Sequence, residues 1–208
     1  MRTLRLLAAA AIAAAASLAH AQAPVERPYY VNARLGAYMP QDEDLDDAGF
    51  GAGFAGEVAI GRRFTPMFAA ELGVGHFRSS SDAITFFDPD VGGDVSVDFD
   101  LAVTPIVATA KLLLPAGALE PYALAGAGVY LAEMTGNATV GGMSASVSDK
   151  DNVFGFHLGA GAQIHVTPAA SLGLELRYVI ANVEFSDFSD QSLGLDGLQI
   201  SGGATFRF

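Results

Sequence analysis

The sequence predicts an all-β fold, an eight-stranded antiparallel transmembrane β-barrel. Apolar and polar residues alternate with a period of two in eight segments. This is the pattern of β-strands that have one apolar face and one polar face. The connections between these segments are alternately short and long. The chain is also 51% hydrophobic, yet after its first residues no apolar run reaches the roughly 18 residues of a spanning helix. A barrel spreads its apolar residues over alternate positions in this way, and a soluble domain with a large core is the other interpretation.

Residues 1–21 have the pattern of a cleaved secretory signal peptide. Arg2 and Arg5 form a short basic start, and an apolar run follows that is too short to span a bilayer as a helix. A small–any–small triplet ends at Ala21. We therefore expect cleavage after Ala21, which leaves residues 22–208 as one β-barrel domain.

The charge balance of the mature chain is strongly acidic. Loss of Arg2 and Arg5 leaves 9 basic against 23 acidic residues, a net charge of −14, and cleavage after Ala23 (the alternative site) gives the same value. Nucleic-acid binding requires a basic face, so we expect no nucleic-acid partner.

The chain has no Cys, which excludes a disulfide framework and a Cys-based zinc site. We expect no cofactor and no bound metal.

The first three predicted strands are residues 28–39, 50–62 and 67–78. Each alternates apolar residues with polar residues or glycine, so that Val31 and Arg34, for example, lie on opposite faces. A strand of this kind buries one face against an apolar phase and turns the other toward polar groups.

The fourth predicted strand, residues 94–114, is longer than a membrane-crossing strand of roughly 9–11 residues. We therefore expect it to project beyond the bilayer. Its first half alternates cleanly. The apolar face carries Val95, Val97 and Phe99, and the polar face carries Ser96, Asp98 and Asp100.

The fifth predicted strand, residues 122–134, has an ambiguous facing because both of its faces are largely apolar. If Gly126 and Gly128 point inward, as the glycines of the earlier strands do in this interpretation, then Val129 and Leu131 face outward.

The last three predicted strands are residues 152–166, 170–185 and 196–208. The sixth is the clearest, with a row of large apolar residues such as Phe156 opposed by glycines and His157. The last strand has an apolar face and no edge protection, and an unpaired edge of this kind promotes aggregation. We therefore expect it to pair with the first strand and close the sheet.

The connections decide the orientation. Short turns that contain Pro66, Pro115 or Pro168 follow the second, fourth and sixth strands, and longer Gly/Ser-rich acidic segments follow the odd-numbered ones. Short periplasmic turns and long external loops are typical of outer-membrane barrels. A lipocalin-like soluble barrel also alternates, but its exterior carries many charges. Here the face with Gly, Ser, Thr and single charges is assigned to the lumen, and the face almost free of charge to lipid.

Four segments resemble the small outer-membrane β-barrel families, the OmpA/OmpX-type and OmpW-like proteins. They are the signal peptide, residues 121–128, residues 174–178 and the terminal Phe206-Arg207-Phe208. The resemblance implies a location in the cell outer membrane and contact with outer-membrane lipid. It also implies that Phe206 and Phe208 form a carboxy-terminal signal read by the barrel assembly machinery. We expect a monomer, without the peptidoglycan-binding domain of full-length OmpA-type proteins.

Charged residues on the predicted lumenal faces are the candidate site. A buried charge needs a partner, and closure makes the relevant strands consecutive, so three acids and three arginines are expected to form one network across the lumen. The six residues are Arg34, Glu57, Glu71, Glu175, Arg177 and Arg207. The network is either a structural plug or a gate for small solutes. His157 and His165 lie on the polar face of the sixth strand, and we expect both side chains to form hydrogen bonds in the lumen.

The sequence leaves three functions open. The first is a structural or surface-interaction barrel whose lumen is closed or narrowly gated. The second is an OmpW-like narrow channel for small or apolar solutes. The third function, a lipid-modifying enzyme, is not expected, because Ser and His are not paired on neighbouring positions of a single face. A catalytic arrangement of residues from different strands stays open.

The acidic segment at residues 42–47 is expected to be a solvated surface, with divalent-ion binding as the alternative.

Overall fold

A computed structural model of the chain describes residues 26–42, 45, 48–89, 93–184 and 192–208. The predicted signal peptide and its cleavage site lie outside these residues, as does most of the acidic segment at residues 42–47. None of the described residues forms a helix that is long and apolar enough to cross a membrane.

Eleven β-strands make up the described part of the chain. They are β1 (Tyr29–Pro40), β2 (Gly53–Thr65), β3 (Phe68–Ser80), β4 (Ile84–Asp88), β5 (Gly93–Leu113), β6 (Leu119–Val140), β7 (Met143–His165), β8 (Ala170–Ile180), β9 (Asn182–Glu184), β10 (Ser192–Gly194) and β11 (Gly197–Arg207). Eight of them form an antiparallel ring in the order β3-β2-β1-β11-β8-β7-β6-β5, and pairing of β5 with β3 closes it. The predicted eight-stranded barrel is confirmed.

The first and last strands close the ring as predicted. β1 and β11 are antiparallel neighbours in continuous register from Tyr30 opposite Arg207 to Pro40 opposite Gly197. At the periplasmic end the Phe208 backbone N–H donates to the Tyr29 carbonyl oxygen over 2.9 Å. The apolar carboxy-terminal strand therefore has both of its edges paired.

The strands alternate between the barrel interior and an apolar outer surface. In β1, for example, Asn32 and Arg34 are buried, whereas Leu35 is 65% exposed on the outside. In β6 the outward side chains include Val129 and Leu131, so the conditional assignment for the fifth predicted strand holds. A continuous outer belt of Val, Leu, Ile and Phe is the surface that a barrel presents to lipid.

The first half of β5 corrects one facing assignment. Leu101 and Val103 are buried in the interior, and Phe99 packs against the same inner cluster. The apolar face of the fourth predicted strand therefore points into the barrel, not toward lipid. The physical reason is that this half of the lumen is filled by apolar side chains that pack on one another, so an apolar face does not identify the lipid side there.

The long connections contain more structure than the sequence predicted. The segment at residues 79–93 was expected to be a loop, but it contains β4, which pairs with β5. Residues 135–151 were also expected to be a loop, but they form the outer part of the β6–β7 hairpin. Its turn is Gly141-Gly142, with φ of +55° and +87°. A type I′ turn needs positive φ at both central positions, and two glycines provide it without strain.

Candidate functional site in the barrel interior

Arg34 is central to a buried ion-pair network inside the barrel. Its Nη1 donates to Glu175 Oε2 over 2.7 Å, and its Nη2 contacts the carboxylates of Glu57 and Glu71, the latter at 3.1 Å. Arg34 on β1 lies directly opposite Glu57 on β2, so the strand register itself makes this pair. Each of these side chains is about as buried as a core residue, with exposure of 4% or less.

Two further cations complete the network. Arg177 donates to Glu57 Oε2 over 2.5 Å and to Glu175 Oε1 over 2.8 Å. Lys111 Nζ lies 2.7 Å from Glu71 Oε1 and 3.4 Å from Glu175 Oε2. Three carboxylates and three cations therefore balance in charge. Because each carboxylate contacts at least two cations, the loss of any one group leaves an opposite charge without full compensation.

The third cation is Lys111, where the sequence predicted Arg207. Lys111 shares the inward face of β5 with Val103 and Val107. The sequence interpretation placed that face toward lipid, and Lys111 was therefore missed. A single Lys in an otherwise apolar strand was the signal that could have found it, because an unpaired charge facing lipid is costly.

Arg207 belongs to a second network near the periplasmic end. The Glu120 side chain is only 1% exposed. It accepts hydrogen bonds from Arg63 Nη2 at 2.5 Å and from Gln163 Nε2 at 2.6 Å. Arg207 Nη2 lies 3.8 Å from the same carboxylate. The structure thus brings together five of the six predicted residues and places Arg207 elsewhere. The sequence interpretation missed Arg63 and Glu120, because both residues flank short turns and were assigned to strand ends and not to the lumen.

A layer of tyrosines separates the two networks and rests on glycines. The Tyr122 hydroxyl donates to Glu175 Oε2 over 3.0 Å, and Lys111 Nζ lies 4.6 Å from the Tyr122 ring centroid. Gly161 lies opposite Tyr122, and a Cβ atom there would meet the Tyr122 ring and the Leu174 carbonyl. Gly61 has the same relation to Tyr30. Gly61 and Gly161 therefore make room for tyrosine rings, where the sequence alone left room for a water path.

Gly161→Ala is expected to destabilise the barrel by about 1–3 kcal/mol, the usual cost of overpacking. The new methyl group would displace the Tyr122 ring from Glu175 and press on a backbone carbonyl, which cannot move away. The measurement is urea-induced unfolding in lipid vesicles. Gly202→Ala is the matched control, because the nearest atom to a Cβ at that position is 3.5 Å away. Equal stability of the two variants would contradict the packing role of Gly161.

On the external side of the central network lie a histidine and then an apolar plug. His157 is 2% exposed, and its Nε2 lies 2.9 Å from Thr109 Oγ1, in agreement with the hydrogen-bonding role predicted for it. Beyond it, Tyr38 and Phe77 stack with ring centroids 4.3 Å apart. Leu101 and Val103 are buried in the same cluster. The plug is a residue set that the sequence interpretation missed.

A pair of Ser and His across two strands, the arrangement that the sequence left open, occurs near the periplasmic end. His165 on β7 and Ser171 on β8 are cross-strand neighbours, and His165 Nδ1 lies 2.8 Å from Ser171 Oγ. Ser and His are therefore paired on one face, which the sequence did not reveal because the two residues sit on either side of a turn. The Ser171 hydroxyl is buried and also accepts a hydrogen bond from Arg207 Nη1 over 2.9 Å. This arrangement ties the serine into the periplasmic network.

The comparisons with known proteins agree with this architecture. The chain matches the family described as "Outer membrane protein beta-barrel domain" over residues 6–208. The chain belongs to this family. Its barrel therefore spans the cell outer membrane, and the outer apolar belt faces lipid.

Solved structures show the same fold. Neisserial surface protein A is 18% identical and has a TM-score of 0.55, with 86% of this chain and 97% of that chain covered. OprG from Pseudomonas aeruginosa is 15% identical, with a TM-score of 0.51 and coverage of 88% and 96%. A major outer membrane protein from Thermus thermophilus is 17% identical, with a TM-score of 0.51 and coverage of 88% and 100%. A comparison with curated proteins gave no match.

Proposed function

We propose that this protein is a structural and surface-interaction barrel of the outer membrane whose lumen is closed. The observation that carries the proposal is the stacking of three side-chain barriers along the interior. They are the periplasmic network around Glu120, the central network around Arg34 and Glu175, and the apolar plug around Phe77. The extended β5–β7 sheet and the external connections then provide the surface that contacts other molecules.

The two kinds of barrier oppose permeation by different physics. An ion that crosses the central network must displace partners at distances such as 2.7 Å between Arg34 and Glu175, where both charges are buried. A hydrated ion that reaches the plug must enter a region lined by apolar side chains, which excludes water. A substitution that opens an ion-pair network therefore leaves the apolar plug closed, and a substitution that opens the plug leaves the networks closed.

Planar-bilayer recordings on the full-length refolded barrel test this proposal. We expect no conductance from the wild type, and none from Glu71→Leu or Arg177→Leu, because the apolar plug remains. Opening all three barriers together, with Glu120→Ala, Arg177→Leu and Phe77→Ser in one variant, is expected to admit ions. Leu72→Ser in place of Phe77→Ser is the control, since Leu72 lies on the outer surface at 58% exposure. Steady conductance by the wild type would overturn the proposal.

A narrow channel for small or apolar solutes is the second candidate, favoured by a hollow in the outer wall. The hollow is a shallow depression open to the outside, and it is lined by Leu35, Phe54, Gly56, Val58 and Val74 together with Arg34 and Glu57. OprG is a solved structure of similar fold. Uptake of a fluorescent apolar probe into vesicles, together with zero ionic conductance, would favour this function over a closed barrel.

We also propose that the protein is not an enzyme. Although His165 and Ser171 are in contact, the Ser171 hydroxyl is 1% exposed and is held by Arg207, so a lipid acyl group has no access to it. An esterase and acyl-release assay on the refolded protein is expected to give no activity above that of Ser171→Ala. Activity lost in Ser171→Ala would show a catalytic site.

Phe206 and Phe208 are proposed to act as the assembly signal. Both side chains are exposed on the outer surface, and the Phe208 backbone pairs with Tyr29. Deletion of Phe208 is expected to reduce the amount of barrel inserted in the membrane in vivo, while the purified variant still refolds in detergent. Removal of an equally exposed aromatic side chain, Phe154→Ala, is the control. Normal insertion without Phe208 would refute the signal.

A further inference from the structure

The lumen between its periplasmic end and the apolar plug carries an excess of one positive charge. Within the described ranges, five cations and four carboxylates point into this part of the interior, and each of these side chains is at most 12% exposed. The cations are Arg34, Arg63, Lys111, Arg177 and Arg207, and the carboxylates are Glu57, Glu71, Glu120 and Glu175. A buried charge without a counter-charge is strongly unfavourable, so the excess calls for a compensating group.

The excess charge lies on Arg207, in the periplasmic network. The central network balances three cations with three carboxylates, whereas the periplasmic network has two arginines and one carboxylate. Arg63 takes both oxygens of Glu120, over 3.2 and 2.5 Å, and Arg207 lies 3.8 Å from the same carboxylate. The other partners of Arg207 are His165 Nδ1 at 3.3 Å and Ser171 Oγ at 2.9 Å. Because a guanidinium only donates, both of these atoms accept, and neither supplies a negative charge.

A small recess lies beside Arg207, between the two networks. Its volume is about 20 Å³, and about 10–15 Å³ is enough for one water molecule. Three cations line it, Arg63, Lys111 and Arg207, together with the carboxylate of Glu71. Glu71 is already paired with Lys111 at 2.7 Å and with a central arginine. The Arg63 Nε–H is buried and has no hydrogen-bond partner in the described part of the chain. The wall of the recess therefore has a net positive charge and an unused donor.

Asn32 and Thr205 add a neutral donor to the same wall. Asn32 Nδ2 donates to Thr205 Oγ1 over 2.8 Å, while the buried Asn32 Oδ1 has no partner among the residues that the structure describes. Rotation of the Asn32 amide by 180° lets the Thr205 hydroxyl donate to Oδ1 and turns Nδ2 toward the recess. This rotation satisfies the unpaired oxygen and presents an N–H group where the excess positive charge lies.

We propose that this recess binds one small monovalent anion of about the size of chloride. A single negative charge restores the charge balance of the interior, and the volume of the recess excludes polyatomic anions such as sulfate. The ligands are the Arg207 guanidinium, the Arg63 Nε–H and the Asn32 amide. Arg207 lies at the periplasmic end and is 11% exposed, so the ion enters from the periplasm and fixes the two arginines of this network in place.

Urea unfolding of the full-length refolded barrel in zwitterionic lipid vesicles tests the site. Sodium chloride replaces sodium gluconate at constant ionic strength, and the unfolding midpoint is expected to rise with chloride and then saturate, because the anion binds only the folded state. Arg207→Gln is expected to raise the half-saturating chloride concentration at least about tenfold, the effect of losing one hydrogen bond to a charged group. Arg62→Gln, which changes an exposed outward arginine at the same end, is the matched control and is expected to keep the wild-type response.

A second measurement on the wild type does not depend on the folding of a variant. Crystals of the barrel grown in sodium bromide are expected to show one anomalous peak in the recess, within hydrogen-bond distance of Arg63 and Arg207. A water molecule there without anomalous signal would overturn the proposal. So would an equal chloride response in wild type and Arg207→Gln, or a response to sulfate as large as that to chloride. Each result is independent of conductance, so the anion site and the closed lumen are tested separately.

Discussion

Glu175→Gln is expected to lower the free energy of unfolding by about 3–5 kcal/mol, the cost of breaking a buried ion pair by removing one partner. Glu175 contacts Arg34, Arg177 and Lys111, and it also accepts the hydrogen bond of Tyr122. The substitution conserves shape and removes one negative charge, which leaves three buried cations with two carboxylates. The measurement is reversible urea unfolding of the barrel in lipid vesicles.

Two further variants make the prediction specific. Glu175→Gln combined with Lys111→Met restores charge balance, so the double variant is expected to recover a large part of the lost stability. Glu133→Gln breaks an ion pair whose side chains are 69% and 42% exposed, and it is expected to cost no more than about 1 kcal/mol. A loss in Glu175→Gln that is no larger than in Glu133→Gln would refute a stabilising network.

The barrel was predictable because its determinants are local. Period-two alternation and the short turns at Pro66, Pro115 and Pro168 locate the strand ends beside those turns within a few residues. Closure followed from the apolar terminal strand, whose edge must be paired. The β6–β7 hairpin was missed although its signal was present. Gly141-Gly142 lies between segments that alternate weakly because Ser and Thr occupy one face and Ala and Gly much of the other.

The interior was predictable only in part, because which charges meet depends on the register of strands that are distant in the chain. Arg34 and Glu57 could be paired from adjacent strands, but the placement of Arg207 beside Glu120 depends on where β11 begins its pairing. Lys111 was missed for a different reason. The rule that apolar faces meet lipid holds only where the lumen is polar, and β5 lines the apolar plug with the same face that carries Lys111.

Phe77→Ala is expected to lower the free energy of unfolding by about 3–5 kcal/mol, the range for deleting a buried aromatic ring. Phe77 is 2% exposed, stacks on Tyr38, and lies in the plug with Leu101 and Val103. The plug has little means of collapsing around the missing ring, because its walls are strands fixed by a closed hydrogen-bonded ring. The measurement is the same urea titration, with heat-induced loss of the folded band on a denaturing gel as a second readout.

Phe156→Ala is the control that separates interior packing from hydrophobicity as such. Phe156 is also a strand phenylalanine, but it is 56% exposed on the outer belt, where lipid acyl chains fill the space that the ring leaves. Its truncation is therefore expected to cost much less than that of Phe77. A larger loss for Phe156 than for Phe77 would mean that the apolar residues of β3 face lipid and that the external half of the lumen is not plugged. A larger loss for Phe77 would establish that this barrel has a packed core of its own inside the ring, in addition to its surface contact with lipid.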